Sequence, residues 1–268
     1  MRIAVSAKQV PDPAIEPSYK NGCLSRPDEQ VLDDTDRYGI ELALQIKETM
    51  DAEVIVVSMS PEGTQKGIQQ ALQMGTDRAI LISDPELKNS NSLTTAKVMS
   101  DLIEKLDINY FICGVESTDG YTGLVPQQIA RIINFPCISF IKSAEITEET
   151  IIAKRQTAFG YETLAIPEKG VLSVTAGGVE PRYPNFKDIM AAKNKDVKIL
   201  TLKDLGTDVH NSLKYRDIVG VDIRTKGEKI IDDGQGAGII FNKLKEFHFI
   251  IQKFIQLQLV VVVMNIII

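Results

Sequence analysis

Along the first half of the chain, short β-branched apolar runs alternate with amphipathic stretches. Residues 2–8 (RIAVSAK), 52–59 (AEVIVVSM), 78–83 (RAILIS) and 108–114 (INYFICG) have the length and β-branched content of buried strands. Residues 35–48, 61–74, 94–106 and 125–133 carry apolar side chains at helical spacing. In the second of these helices Ile68, Ala71 and Leu72 recur at i, i+3 and i+4, a single stripe to be buried against a sheet. Strands that alternate with helices in this way are joined by crossovers. The pattern therefore predicts an α/β fold, a mostly parallel sheet with helices on both faces.

After residue 136 the texture changes. Residues 137–146 (CISFIKSAEI), 150–156 (TIIAKRQ), 161–166 (YETLAI) and 170–176 (GVLSVTA) read as strands separated by turn-prone EET, FG and PEKG, and predict hairpins added to the layered core. In residues 180–196 (EPRYPNFKDIMAAKNKD) two prolines stand ahead of a short helix, where proline cannot interrupt the hydrogen-bond ladder. The expected division is an α/β domain over 1–205, an extended arm over 206–240, and a C-terminal helix with an apolar tail over 241–268. The arm is polar and rich in glycine and aspartate, with no core of its own, a composition suited to embracing a partner. The last ten residues are almost wholly apolar, but a spanning helix needs about 20 such residues, and Gln252, Lys253, Gln256 and Gln258 interrupt the approach to them. A tail buried in a partner or left unordered is expected rather than a membrane anchor.

Composition narrows the function. With 44% hydrophobic and 25% charged residues among 268, the chain is an ordinary globular one. A net charge of −6 argues against nucleic acid or an anionic membrane surface as the main partner, since both need clustered basic charge. Cys23, Cys113 and Cys137 lie far apart with no CxxC pair, so neither a disulfide framework nor a metal knuckle is implied, and a reducing cytoplasm is the expected location. His210 and His248 are the chain's two histidines, too few for a histidine-rich metal site or a Ser-His-Asp triad. The first residues, MRIAVSAKQV, lack the long apolar region and cleavage site of a secretion signal.

In open parallel sheets ligands gather beyond the carboxyl ends of the strands. The loops after residues 2–8, 52–59 and 108–114 are therefore the candidate site, and the third carries the strongest signal: CGVESTDGYTGLVPQQIA, a Ser/Thr/Asp/Gly loop leading to a helix with Pro126 near its first turn. Loop amides, the hydroxyls of Ser117, Thr118 and Thr122, and a helix N-terminus make a phosphate cradle. The plain alternative is that any strand-to-helix turn wants glycine and a cap. Neither GxGxxG nor GxxxxGK[ST] follows a strand.

KQVPD behind the first strand, GVESTDG with VPQQIA behind it, VEPRYPNFKDIMAAKNK, and LKDLGTD followed by GEKIIDDGQGAG together resemble the electron-transfer flavoprotein β-subunit family, over Met1 to about residue 250. EPRYPNFKDIMAAK is the most specific of these; the alternation of strands and helices alone fits nucleotide-binding folds of the adenosine-phosphate hydrolase type equally. The resemblance implies an electron carrier subunit with no catalytic residue and no metal. It would pair with an α subunit that holds most of an FAD site, bury a structural AMP, accept electrons from flavoprotein dehydrogenases such as the acyl-CoA dehydrogenases of fatty acid β-oxidation, and pass them toward a quinone oxidoreductase. In electron-bifurcating members a second FAD takes the place of AMP. An enzyme acting on a nucleotide and a stand-alone ATP-binding module of the stress type are the other classes.

By position, the resemblance puts the nucleotide against Ser6, the loop of Asp33, Asp34, Thr35 and Asp36, Met59, and the loop of Gly114, Val115, Glu116, Ser117, Thr118, Asp119, Gly120, Tyr121, Thr122, Gly123, Leu124 and Val125. Gly120 and Gly123 would let backbone approach a phosphate. Asp119 would repel one, so it is expected to cap the turn or bind a ribose hydroxyl. The acidic DDTD segment suits ribose or adenine, or an N-cap for the next helix. For partners, the resemblance makes Phe186, in a docking segment over 180–195, the apolar anchor to dehydrogenases. It makes Glu162 in GYETL a contact to the mobile flavin-carrying domain; otherwise each is a core aromatic or a solvated strand residue. The chain departs from the family at Pro13, where some members place a tyrosine beside the flavin ring. It also departs at Ala158 and Phe159, where an acidic pair is common, and at Pro167, which sits earlier than the family's proline.

Overall fold

The computed structural model describes residues 1–209, apart from 17, 21–22, 28–29 and 64, together with 227, 229, 232 and 234–247. In chain order its elements are β1 (Arg2–Ser6), β2 (Gln9–Val10), β3 (Tyr19–Lys20), β4 (Cys23–Leu24), β5 (Val31–Leu32), α1 (Asp34–Thr49), β6 (Glu53–Met59), α2 (Lys66–Gln73), β7 (Arg78–Ile82), α3 (Ser92–Lys105), β8 (Tyr110–Gly114) and α4 (Val125–Ile132). There follow β9 (Cys137–Ile146), β10 (Ile151–Thr157), β11 (Gly160–Ala165), β12 (Gly170–Val174), α5 (Phe186–Ala192), β13 (Val197–Leu200), α6 (Leu202–Leu205) and α7 (Gly236–Glu246).

Nine strands form one sheet in the order β11-β10-β9-β12-β8-β1-β6-β7-β13. The pairings from β13 to β9 are parallel, and those of β10 with β9 and β11 are antiparallel. The alternation of side chains along each strand sorts the core into two layers. Ile3, Val5, Val54, Val56, Ile112 and Leu172 face a cluster completed by Ile40, Leu42 and Ile46 of α1 and Ile68, Ala71 and Leu72 of α2. Ala4, Ile55, Val57, Phe111 and Val171 face a second cluster with Val98, Leu102 and Ile103 of α3 and Ile129 and Ala130 of α4. The fold is thus the α/β arrangement that the pattern predicts, with strands apolar on both faces because helices cover both. The stripe of Ile68, Ala71 and Leu72 is fully buried, and its Ile and Leu each contribute roughly 1.5–3 kcal/mol.

The hairpin texture after residue 136 belongs to β9, β10 and β11. Residues 170–176 behave differently: β12 is a parallel strand inserted between β8 and β9, buried at every position, Ser173 included. The pair β13 and α6 has no counterpart among the elements expected from the sequence. It closes the far edge of the sheet, and α6 starts at a reciprocal capping box of Thr201 and Asp204.

The chain divides into two compact units, Met1–Val219 and Gly220–Ile268. In the second, α7 starts at Gly236, inside the stretch expected to be an extended arm, and the Asp232 carboxylate accepts from the backbone N–H of Gly234 and Gly236. The rest of that arm between 210 and 226 and the apolar tail of 259–268 lie outside the described residues, as does the polar run that precedes the tail. No helix among the described residues is long and apolar enough to cross a membrane.

Candidate functional site

From β1 the chain steps through α1 to β6 and on to β7, then returns to place β8 on the other side of β1. The strand order therefore reverses beside β1, and the crevice beyond the carboxyl ends of β1 and β8 is the ligand position of doubly wound sheets. Ser6 ends β1, Gly114 ends β8, and Met59 ends β6 on the same edge.

Two aspartates tie this edge together. Asp36, at the start of α1, accepts from the Ser6 hydroxyl, from the backbone N–H of Lys8 at 2.7 Å and from that of Gly114 at 3.2 Å. Burial pushes its carboxyl up to about 6, against the lowering by the bonds from Ser6 and Lys8. Asp33 is fully buried and caps α1, accepting from the backbone N–H of Thr35 at 3.0 Å. Its second carboxylate oxygen accepts from the backbone N–H of Thr118 at 2.8 Å and lies 3.2 Å from the Thr118 hydroxyl. One side chain thus fixes the helix start and the loop after β8 together. The Thr35 hydroxyl lies 2.8 Å from both Asp33 and the Glu116 carbonyl. A Cβ at Gly114 would stand 2.8 Å from that hydroxyl, so only glycine lets α1 approach the end of β8 this closely. Asp34 points outward and pairs with Arg37 at 3.0 Å.

The loop after β8 turns through left-handed conformations at Tyr121 and Gly123. Asp119 in it is buried between two cations, Lys8 at 2.6 Å and Arg26. Burial alone would raise this carboxyl; the charges and hydrogen bonds of Lys8 and Arg26 outweigh it and hold the group down at about 2. Lys8 also donates to the Ser117 hydroxyl at 3.0 Å, and Arg26 lies 3.3 Å from the Gln9 carbonyl and the Gln30 side chain. Within the chain the partners of Asp119 are the side-chain cations Lys8 and Arg26. Thr122, Tyr121 and Leu124 are exposed, and no side chain caps α4 at Leu124. Gly120 has its nearest neighbours for a Cβ at 3.5 and 3.9 Å, so the chain itself does not require glycine there.

The two partner candidates lie on other elements. Phe186 opens α5 behind the cap Asn185 and is 79% exposed, with Tyr183 and Met190 also exposed nearby in sequence. Glu162 of β11 faces Arg155 of β10 across the ladder, at 2.8 and 2.6 Å. Sequence reasoning missed Lys8, Arg26 and the bridge of Arg182 to Glu41; Phe159, which it named as a departure from the family, is fully exposed at the tip of the β10–β11 hairpin. The three missed residues had no sequence signal, because their partners stand far away in sequence.

Among the described residues no cluster of three or more His, Cys, Asp or Glu side chains could hold a metal ion. The strand-end loop offers the hydroxyls of Ser117 and Thr122, the open start of α4, and the cations Lys8 and Arg26 against the single negative charge of Asp119, a set suited to a phosphate-bearing group.

Residues 23–205 match a family model described as the electron transfer flavoprotein domain. The chain is 34% identical over 257 residues to the electron transfer flavoprotein subunit beta of Mycobacterium leprae, covering 90% of this chain and 97% of that one. It is 28% identical over 261 residues to the subunit of the same name from Clostridium acetobutylicum, covering 93% and 100%. It is also 30% identical over 262 residues to subunit CarD of a caffeyl-CoA reductase-Etf complex of Acetobacterium woodii, with the same coverage of 93% and 100%.

Proposed function

This chain belongs to the electron transfer flavoprotein family, as one of its β subunits, and from that premise we propose that it is a carrier subunit that performs no substrate chemistry of its own. It pairs with an α subunit holding most of an FAD and carries a structural AMP at the carboxyl ends of β1, β6 and β8. It takes electrons from flavoprotein dehydrogenases such as acyl-CoA dehydrogenases and delivers them toward a quinone oxidoreductase in the cytoplasm. The flavin, when bound, supplies the redox chemistry.

The observation that carries the nucleotide reading is the loop after β8. Asp33 holds it against α1, Lys8 and Arg26 bring two positive charges to it against the one negative charge of Asp119, and the unfilled Cβ space at Gly120 leaves room for a ligand atom. The phosphate would lie against Thr122 and the first amides of α4, beside the Thr118 that Asp33 holds in place, with Ser6, Thr35 and Met59 toward the nucleoside. Asp33 and Asp36 act from beneath, since their oxygens are committed to donors of the chain. Phe186 is the docking anchor for dehydrogenases and Glu162, with the exposed hairpin around it, the contact to the flavin-carrying domain; residues 206–240 embrace the α subunit. A second reading is favoured by the similarity to subunit CarD, whose name places that protein in a complex with a reductase. In it this chain works in an electron-bifurcating complex and the same pocket takes a second FAD.

The test mixes the purified heterodimer, without oxygen, with an acyl-CoA dehydrogenase reduced by its acyl-CoA. Rapid bleaching of the heterodimer flavin is expected. A flavin that stays oxidised under these conditions contradicts the carrier role.

A further inference from the structure

The docking helix α5 is poorly seated by apolar contacts. Ala192 is its one buried residue, while Phe186 and Met190 are exposed. A groove of about 470 Å³ remains beneath the segment, lined among others by Leu44, Met74, Asn185 and Asp188. Ala192, in the core cluster, and the half-buried Ile189 are the apolar footing of α5.

Polar contacts hold the two ends of the segment. Four residues before Phe186, Arg182 grips α1. Its Nε donates to Glu41 Oε2 at 2.7 Å, its Nη2 to Glu41 Oε1 at 2.9 Å, its backbone N–H to Glu41 Oε2 at 3.1 Å, and its Nη1 to Glu48 at 2.5 Å. Glu41 is 4% exposed and is held on its other side by Gln45 at 3.0 Å. Beyond the helix, Lys195 donates to the Leu72 carbonyl in the last turn of α2 at 3.0 Å. A buried ion pair adds little net stability compared with apolar residues of the same volume, because desolvation offsets the attraction. What a forked guanidinium adds is direction, since two parallel bonds to one carboxylate fix an orientation that a point charge does not.

We propose that Arg182 is a positioning residue for electron transfer: its fork on Glu41 sets the orientation of α5, and with it the presentation of Phe186 to the incoming dehydrogenase. The role rests on the docking function assigned above to Phe186.

The experiment uses the full heterodimer and varies the concentration of an acyl-CoA dehydrogenase reduced by its acyl-CoA. It compares Arg182→Lys, Arg182→Met, the double variant Glu41→Gln/Arg182→Met, which leaves no buried charge unpaired, and Phe186→Ala. Flavin and nucleotide content are measured for each. Arg182→Met and the double variant should raise KM for the dehydrogenase about tenfold, part of what loss of the buried anchor itself would cost. The rate at saturating dehydrogenase and the flavin content stay unchanged. Arg182→Lys should fall between these and wild type, because it keeps the charge and loses the fork. Combined with Phe186→Ala, Arg182→Met should add little, since both act through one contact. If Phe186→Ala raises KM and the Arg182 variants do not, the positioning role is overturned while the docking reading stands. If Phe186→Ala leaves KM at the wild-type value, the docking reading falls and the positioning role falls with it.

Discussion

Asp33→Ala tests how the site is built. Asp33 is fully buried and serves two segments: it caps α1 through Thr35 and holds the loop after β8 through Thr118. Removing the cap costs about 1 kcal/mol. Leaving the Thr118 backbone N–H without its acceptor at a half-buried position costs about 1–3 kcal/mol more. The sum, about 3 kcal/mol, lowers the midpoint of thermal unfolding by roughly 6–12 °C for a domain of this size. Asp33→Asn separates the two roles. Its amide oxygen can still accept from Thr35, but its NH2 group then meets the N–H of Thr118, so the cap survives and the tie to the loop does not. Both variants should therefore lose nucleotide on dialysis of the heterodimer, while only the alanine shows the full loss of stability by urea denaturation. Wild-type stability in Asp33→Ala, or full nucleotide retention in Asp33→Asn, would refute the assignment of this side chain as the link between helix and loop.

Asp36 gives a pH dependence with a definite sign. Its carboxyl is raised from 3.8 to about 6, so the folded chain binds the proton more tightly than the unfolded one, and stability from this group is full below about pH 4 and is lost as pH rises through about 6. The stability difference between wild type and Asp36→Asn should shift by about 2 kcal/mol in favour of the variant between about pH 4 and pH 7; a constant difference counts against the raised carboxyl. Gly114→Ala places a Cβ 2.8 Å from the Thr35 hydroxyl and should cost about 1–3 kcal/mol by displacing α1; unchanged denaturation would mean that the close approach is not needed. Phe186→Ala should slow electron transfer from dehydrogenases with flavin content intact, and an unchanged transfer rate removes the docking function.

Local periodicity carried most of the fold. The stripe of Ile68, Ala71 and Leu72 and the doubly apolar strands already specify helices on both faces of a parallel sheet, because each element's buried face is written in its own residues. The position of β12 was not legible in that way. GVLSVTA looks the same as a hairpin strand or as an inserted parallel one, and only the competition among β8, β9 and β10 for partners decides. For the candidate site, the strand ends and the loop of 114–125 were visible from strand order and loop chemistry. The roles of Asp33 and Asp36 as buried ties were half visible, as an N-cap. The cations on Asp119 come from Lys8 and Arg26, more than ninety residues earlier in the chain, and Arg182 reaches back 141 residues to Glu41. Such pairs leave no spacing in the sequence to read.

The central claim is that this chain holds a nucleotide of its own while it supports the flavin of a partner. The direct measurement is to co-express it with its α subunit, purify the complex, denature it and count the released nucleotides by chromatography. One FAD and one AMP per heterodimer are predicted, and two FAD would select the bifurcating reading. A stable heterodimer that releases a single FAD and no second nucleotide, or a chain that forms no heterodimer, would contradict the account.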